Sequence, residues 1–562
     1  MLTRFFIIIL LTRSLEVCSQ ISINELMIDP SPTVSLPEYE YIELYNNSND
    51  SVCLTNWILR GETTICIFPS TIIAPHAYVI VAPQSAQGYF DSYGACLYCS
   101  HFPALTNDGK LIELFDNKNH LIDFVSYENT WYESDFKQNG GWSLEKKDPD
   151  SRCSCAENWT ASSNVLGGTP GKTNSTNETF NPQTFNITNI GKVTDSSCTV
   201  FFSGQMDSTS ILNTQNYTID HGIGNPFRCI SNSPFYNEVT LIYSTLLHKG
   251  NIYRLTASSA IKNCGTVHLT ENETVRFALS DSVYKNDIII NEILFDPLPE
   301  SVDFVELYNR SSKIISLSDI YIANKDIKTN MIKEYAQICN QGLLLFPNEF
   351  IVLSKDSKKI QSQYKTAEVF SACDITSLPS FPDDEGIVCI ITKQGSILDE
   401  FHYNSDMHNK LLSNKQGISL ERINTEVSTS EPTNWHSASW DCGYATPGYK
   451  NSQSQNTMQS SQLLTISPYV FSPDNDGFDD AVSIAFLFPE EGYTASIRIF
   501  NLNGSLLKSI VANKPMSVSG TIFWDGTTDK GLLPAGMYII ECEAFNMKGK
   551  HLAYKTSCAI AY

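Results

Sequence analysis

At 562 residues the chain is too long for one hydrophobic core and predicts several domains. Its 61 acidic side chains against 38 basic ones leave a net charge of −23, which argues against nucleic acid as a partner because phosphate binding needs clustered cations. The acidic residues are dispersed rather than gathered in a tail, as on a solvated surface.

The chain opens with a basic Met1-Leu2-Thr3-Arg4 and an apolar run from Phe5 to Leu11, followed by Val17 and Ser19 ahead of Gln20. Residues 1–19 are therefore expected to be a signal peptide, and the protein is expected outside the cell or on its outer surface. Cys18 raises lipidation as an alternative, although Val17 is a poor residue before a lipidated cysteine. No later segment approaches the roughly 20 apolar residues that span a bilayer, so the mature chain is expected to lack a transmembrane segment. Sixteen cysteines suit an oxidising compartment.

Residues 20–173 begin with alternating apolar and polar residues, Ile23-Asn24-Glu25-Leu26-Met27-Ile28-Asp29-Pro30 and then Tyr41-Ile42-Glu43-Leu44-Tyr45-Asn46, the period of strands with one buried face. Further short strands are predicted at Ala77–Val81, Lys110–Phe115 and Leu121–Val125, separated by turn residues. Cys96-x-x-Cys99 and Cys153-x-Cys155 are disulfide candidates, with a four-thiolate zinc site as the weaker alternative in an exported protein. Trp131 and Tyr132 are possible carbohydrate or protein contacts, although Trp131 could equally pack on its own sandwich.

Residues 174–285 form a separate unit entered through the polar, turn-rich 174–179, which reads as a linker. Strands are suggested at 197–202, 216–219 and 240–243. Residues 286–452 then repeat the first domain. Asn24, Glu25, Asp29, Glu43, Asn46 and Trp159 correspond to Asn291, Glu292, Asp296, Glu306, Asn309 and Trp435, and both copies also contain Ser-Leu-Glu and Thr-Pro-Gly steps.

The duplicated pattern resembles the lamin-tail domain, carried by Asn-Glu-x-x-x-x-Asp-Pro, Glu-Leu-Tyr-Asn, Ser-Leu-Glu, Asn-Trp and Thr-Pro-Gly in the same order twice. The resemblance covers a little over half the chain. It implies an immunoglobulin-like β-sandwich that serves as a structural or binding module, with no catalytic residues to carry over. Paired carboxylates such as Glu25 with Glu43 and Glu292 with Glu306 can do acid–base chemistry. No histidine, serine or lysine recurs beside them, so they are assigned to structural bonding. The 174–285 unit, through Phe202-Ser203-Gly204-Gln205-Met206-Asp207, resembles an immunoglobulin-like spacer of bacterial surface proteins.

A polar stretch, 453–462, is read as a second linker before the C-terminal domain, 463–562. That domain carries Phe471-Ser472-Pro473-Asp474-Asn475-Asp476-Gly477-Phe478-Asp479-Asp480, Trp524-Asp525-Gly526 and Pro534-Ala535-Gly536-Met537-Tyr538. It resembles the C-terminal immunoglobulin-like domain of Bacteroidetes exported proteins, of hook-cap or gliding type, which implies the type IX secretion machinery as a partner. The tail to Tyr562 lacks that family's basic terminal motif, which leaves sorting open. Asp474, Asp476, Asp479 and Asp480 offer hard oxygens around a glycine, as calcium asks of a loop, against the alternative of an aspartate-capped turn. Cys542 and Cys558 are a candidate cross-strand disulfide.

Metalloprotease, Walker, dinucleotide and nucleophile-elbow motifs do not occur in the sequence. The expectation is an all-β protein of tandem immunoglobulin-like sandwiches, secreted or surface-displayed and non-enzymatic. It would bind protein or polysaccharide at the cell surface without requiring a cofactor, calcium being optional. The alternative is an accessory protein of exported hydrolases or nucleases.

Overall fold

Strand Ile21–Met27 is buried at every position, although its sequence alternates imperfectly. The reason is a β-bulge. The pairing of this strand with Tyr41–Asn46 slips between Ile23 and Glu25, so that Ile23 and Leu26 both reach the core and the two residues between them, Asn24 and Glu25, both turn away from it. The second copy slips at the same place, between Ile290 and Glu292, in the pairing of Ile288–Leu294 with Phe304–Asn309. The Asn-Glu signature is thus the sequence of a bulge, and its two polar residues are buried on the far face of the sheet.

The computed structural model describes residues 21–454 and 463–562; segment 1–19, expected to be a signal peptide, Cys18 within it, and most of the 453–462 stretch read as a linker lie outside the described residues. The described chain is all-β. In the first copy a six-stranded sheet runs in the order Trp159–Ala161, Leu144–Lys146, Ile21–Met27, Tyr41–Asn46, Tyr78–Pro83, Cys96–Cys99. It faces a four-stranded sheet of Leu121–Glu128, Gly109–Phe115, Ile58–Gly61 and Thr64–Ile67. Leu44, Val79 and Leu97 from the first sheet meet Leu59, Leu114 and Val125 from the second in one apolar core, the immunoglobulin-like arrangement. The second copy repeats this with six-stranded and four-stranded sheets around Ile290, Leu307, Ile351, Ile322, Val388 and Phe401.

The chain divides into two units. The first comprises the chain up to Ile190 with Ser196–Leu246 and Tyr253–Arg276, and so holds the first sandwich and most of the spacer. The spacer pairs a four-stranded sheet with a three-stranded one. Cys153 of the first sandwich is disulfide-bonded to Cys264 of the spacer, and Ser154 N donates to Gln205 Oε1 beside it at 2.9 Å. The second unit holds the second sandwich and the C-terminal domain, whose three- and five-stranded sheets enclose Ile484, Phe486, Ile497 and Trp524. No helix among the described residues is long and apolar enough to cross a membrane.

The cysteine expectations need correction. Cys99 bonds Cys66 and Cys153 bonds Cys264, while Cys96, Cys155, Cys542 and Cys558 are thiols. Cys96 and Cys99 stand three positions apart on one strand, so their side chains point to opposite faces, Cys99 into the main core and Cys96 into a smaller cluster outside it. A shared disulfide or zinc site is thereby ruled out for them. Cys542 pairs in register with Tyr554, and Cys558 with Tyr538. Four residues of strand, about 13 Å, separate the two, too far for a disulfide. Tyr132 is buried with its hydroxyl donating to Trp142 O at 3.0 Å, so it is not a surface contact; Trp131 is partly buried and packs on Trp159 of its own sandwich.

Candidate functional site

The bulge and the register place three glutamates side by side across neighbouring strands. Glu25 is the direct partner of Glu43 on one side and of Glu145 on the other; in the second copy Glu292 stands between Glu306 and Glu421. All six are fully buried. Like charges directly opposite one another on a sheet repel, and buried charge is costly, so each row must be both neutralised in part and richly hydrogen-bonded.

Many of the donors come from the segment after the last strand of each sandwich. Glu25 Oε1 accepts from Tyr41 Oη (2.8 Å), Ser143 Oγ (2.6 Å) and Thr169 N (2.8 Å). Glu43 accepts from Asn24 Nδ2 at 2.8 Å and from Gly171 N at 2.5 Å. Glu145 accepts from Ser175 Oγ and from the amide and hydroxyl of Thr176. Asn24 also donates to Asn174 Oδ1 at 2.8 Å, and Asn174 Nδ2 donates to Lys146 O at 2.8 Å. The second copy matches nearly atom for atom. Ser419 and Thr446 serve Glu292, Asn291 and Gly448 serve Glu306, and Ser452 and Gln453 serve Glu421.

Two stretches read as linkers are therefore parts of the sandwiches. Ser175 and Thr176 of the first, and Gln453 of the second together with Ser452 just before it, hydrogen-bond buried carboxylates, while Asn174 and Asn451 bond the signature asparagines and backbone carbonyls. Gln453 is wholly buried, and its Nε2 also donates to Met516 O of the C-terminal domain at 3.1 Å.

A proton is built into each row. Thr169 Oγ1 lies 3.2 Å from Glu25 Oε2 and 3.0 Å from Glu145 Oε1, and Thr446 Oγ1 lies 3.1 Å from Glu292 Oε2 and 2.8 Å from Glu421 Oε1. A hydroxyl has one hydrogen to give, so both contacts are hydrogen bonds only when one carboxyl of each pair is protonated and donates to it. Burial, reinforced by the charge of Glu145, pushes Glu25 up to about 7; burial with the charge of Glu421 pushes Glu292 up to about 8. Glu25 has the extra donor Tyr41, where the second copy has Phe304. Glu43 and Glu306 are likewise raised well above the usual carboxylate range, first by burial and then by their central neighbours Glu25 and Glu292.

The bulge also frees an amide. Ile23 N donates to Asp123 Oδ2 and Ile290 N to Asp399 Oδ2, each at 2.7 Å, and these aspartates pair with buried Lys146 (3.8 Å) and Arg422 (3.4 Å). Among the other signature residues, Asn46 and Asn309 brace the loop after their strands, each accepting from the serine two residues on. Asp29 Oδ2 accepts from Asn107, and the Asp296 carbonyl accepts from Gly417 N. Trp159 and Trp435 are core residues, and Trp435 stacks on Phe401 at 3.7 Å. A general acid or base must reach substrate. The glutamates, enclosed and bonded by their own domain, are suited to holding a module shut.

In the C-terminal domain Asp474, Asp476 and Asp480 each bring a carboxylate oxygen within 4.8 Å of the others, and Asp479 lies outside the group. Their bonds are those of capped turns: Asp480 accepts from Asn475 N and Gly477 N, and Asp476 from Phe478 N. Two of these carboxylates are exposed and Asp480 is half-buried; with one oxygen from each they supply three of the six to eight that calcium takes, and water would have to supply the remainder.

Residues 16–129 match the Lamin Tail Domain family. No curated protein matches the chain. Among solved structures, a DUF4876 family protein from Bacteroides thetaiotaomicron is 12% identical, covers 43% of this chain and 96% of its own, and has a TM-score of 0.21. The N-terminal part of the bacterial S-layer protein SbsC is 13% identical over 40% of this chain and 44% of its own, with a TM-score of 0.16. A tetra-tandem repeat from the extending region of a large adhesion protein is 9% identical over 96% and 98%, with a TM-score of 0.12. The chain spans 44% and 54% of the two S-layer structures it matches first.

Proposed function

We propose that the chain is a secreted or cell-surface binding, adhesion or scaffold protein without catalytic activity, in which clasped sandwiches present their sheet edges to a protein partner. The observation that carries this reading is that the same strand ends the sheet in both copies and shows exposed apolar side chains there. Strand Thr64–Ile67 ends the four-stranded sheet of the first copy, with Ile65 46% and Ile67 62% exposed; strand Ile332–Gln337 ends that of the second, with Tyr335 67% exposed. Edge strands in monomeric proteins are usually blunted, and open ones accept an added strand from a partner. The absorption of the signature carboxylates into internal bonding supports the non-catalytic part. The disulfides support export, and the C-terminal domain is the proposed address for the type IX machinery.

Adhesion of the full chain to intact bacterial cells is expected to fall about tenfold in the double variant Ile67→Lys/Tyr335→Lys, the loss of roughly 1.4 kcal/mol of apolar contact, while its melting temperature stays put. Unchanged adhesion would move the binding surface elsewhere. Calcium is proposed as an optional stabiliser of the 474–480 loop. Titrating it into chelator-treated protein should raise the melting temperature of the wild type and leave Asp476→Asn unmoved.

A further inference from the structure

The disulfide Cys66–Cys99 joins the two edge strands of the first sandwich, Thr64–Ile67 of one sheet and Cys96–Cys99 of the other. In the second sandwich the strands in those places are Ile332–Gln337 and Ala372–Asp374. Cys339 follows the first of these by two residues and Cys373 lies in the second, nearly the same number of residues apart as the first pair. Both thiols pack against the same apolar core, close enough to shift one another's ionisation. Neither cysteine aligns with its counterpart residue for residue, since Cys66 is opposite Leu59 where Ala336 is opposite Ile322. The link between the two edges is nevertheless the same.

We propose that Cys339 and Cys373 are a reactive dithiol that closes into a third intramolecular disulfide, joining the edges of the second sandwich as Cys66–Cys99 joins those of the first. The oxidant is a disulfide, either of a small thiol such as glutathione or of an oxidising dithiol protein. The proposal rests on the export reading only for where that oxidant is met.

The chemistry is set up by the turn after Cys339. The Cys339 sulfur is held down to about 6 by the neighbouring Cys373 thiol and by the amides of Leu343, Gln341 and Gly342, against the opposing effect of burial. Gly342 takes φ +75°, a left-handed conformation that glycine adopts without strain, and so turns successive amides toward the sulfur. At neutral pH Cys339 is the thiolate and Cys373, its own ionisation opposed by that thiolate, is the thiol. The Cys339 thiolate attacks one sulfur of the oxidant, forming a mixed disulfide as the oxidant's S–S bond breaks and its first thiolate leaves. Cys373 gives up its proton to that leaving thiolate and attacks Cys339 Sγ, and the mixed bond breaks to release the second thiolate, which takes a proton from water. Two protein thiols are oxidised and one external disulfide is reduced to two thiols.

The test is peptide mass mapping of the full-length wild type after incubation with oxidised glutathione and alkylation, without reduction. A peptide joined through Cys339 and Cys373, lost on reduction, is the expected result. In Cys373→Ser, Cys339 should alkylate with iodoacetamide near neutral pH much faster than Cys155, which burial holds up to about 12. Recovery of both cysteines as alkylated thiols from the wild type would overturn the proposal, as would glutathione on Cys339 with Cys373 free. The wild-type readout requires no variant to fold.

Discussion

Asn291→Ala is expected to destabilise the second sandwich by about 2–6 kcal/mol, because two buried polar groups each lose a donor at a cost of about 1–3 kcal/mol. Asn291 Nδ2 divides its two hydrogens between Glu306 Oε1 at 2.8 Å and Asn451 Oδ1 at 2.7 Å. Asn451 in turn donates to the Asn291 and Arg422 carbonyls, fixing the closing segment to the sheet. Alanine removes both hydrogens where water cannot replace them, leaving Glu306 with Gly448 N as its remaining donor and an orphaned Asn451 oxygen. The same loss is expected for Asn24→Ala through Glu43 and Asn174. Urea unfolding of the full chain checks both. Ordinary surface substitutions move such a midpoint by about 0.5 kcal/mol or less, and a change of that size at Asn291 would mean that the clasp contributes nothing.

Much of the architecture is legible in the sequence because it depends on local rules. Alternation in Tyr41–Asn46 and Gly109–Phe115, with turn residues between, dictates strands, and the ordered duplication of Glu-Leu-Tyr-Asn and Ser-Leu-Glu dictates two similar sandwiches. The site is less legible. A period-two reading assumes unbroken alternation, and the bulge at Asn24 and Asn291 breaks it, so adjacent polar residues that look divided between faces share one. Glu145 and Glu421 stand in a recognisable step, yet their place in the row follows from which strands become neighbours, a non-local fact. Asn174–Thr176 and Gln453 look like parts of linkers because polarity alone does not distinguish a solvated segment from one that replaces solvent around buried acids. Cysteine pairing fails for the same reason: Cys99 meets Cys66 across two sheets, and nearness in sequence to Cys96 says nothing of it.

The row of acids should also set the pH dependence of stability, and the first sandwich is the cleaner place to see it. A carboxyl whose folded-state pKa is raised stabilises the fold fully below its unfolded value, and that contribution is lost as pH rises through the folded value. For Glu25 the window runs from 4.5 to about 7. Each such proton gives a slope of about −1.4 kcal/mol per pH unit within its window. In the second sandwich the window of Glu292 extends to about 8, but His408, which burial holds down to about 3, contributes the opposite slope below its unfolded value of 6.5. Glu25→Gln isolates the effect. Its oxygen can keep the bonds from Tyr41, Ser143 and Thr169 N, and its amide can donate to Thr169 Oγ1, freeing that hydroxyl to serve Glu145. The variant therefore mimics the protonated form. Near pH 4.5 it should match the wild type, and by pH 7 it should be more stable relative to the wild type by up to about 3 kcal/mol, with half of that gained near the middle of the window. Unfolding free energies of the two proteins across that range decide the matter, since a difference independent of pH would mean that the row carries no proton.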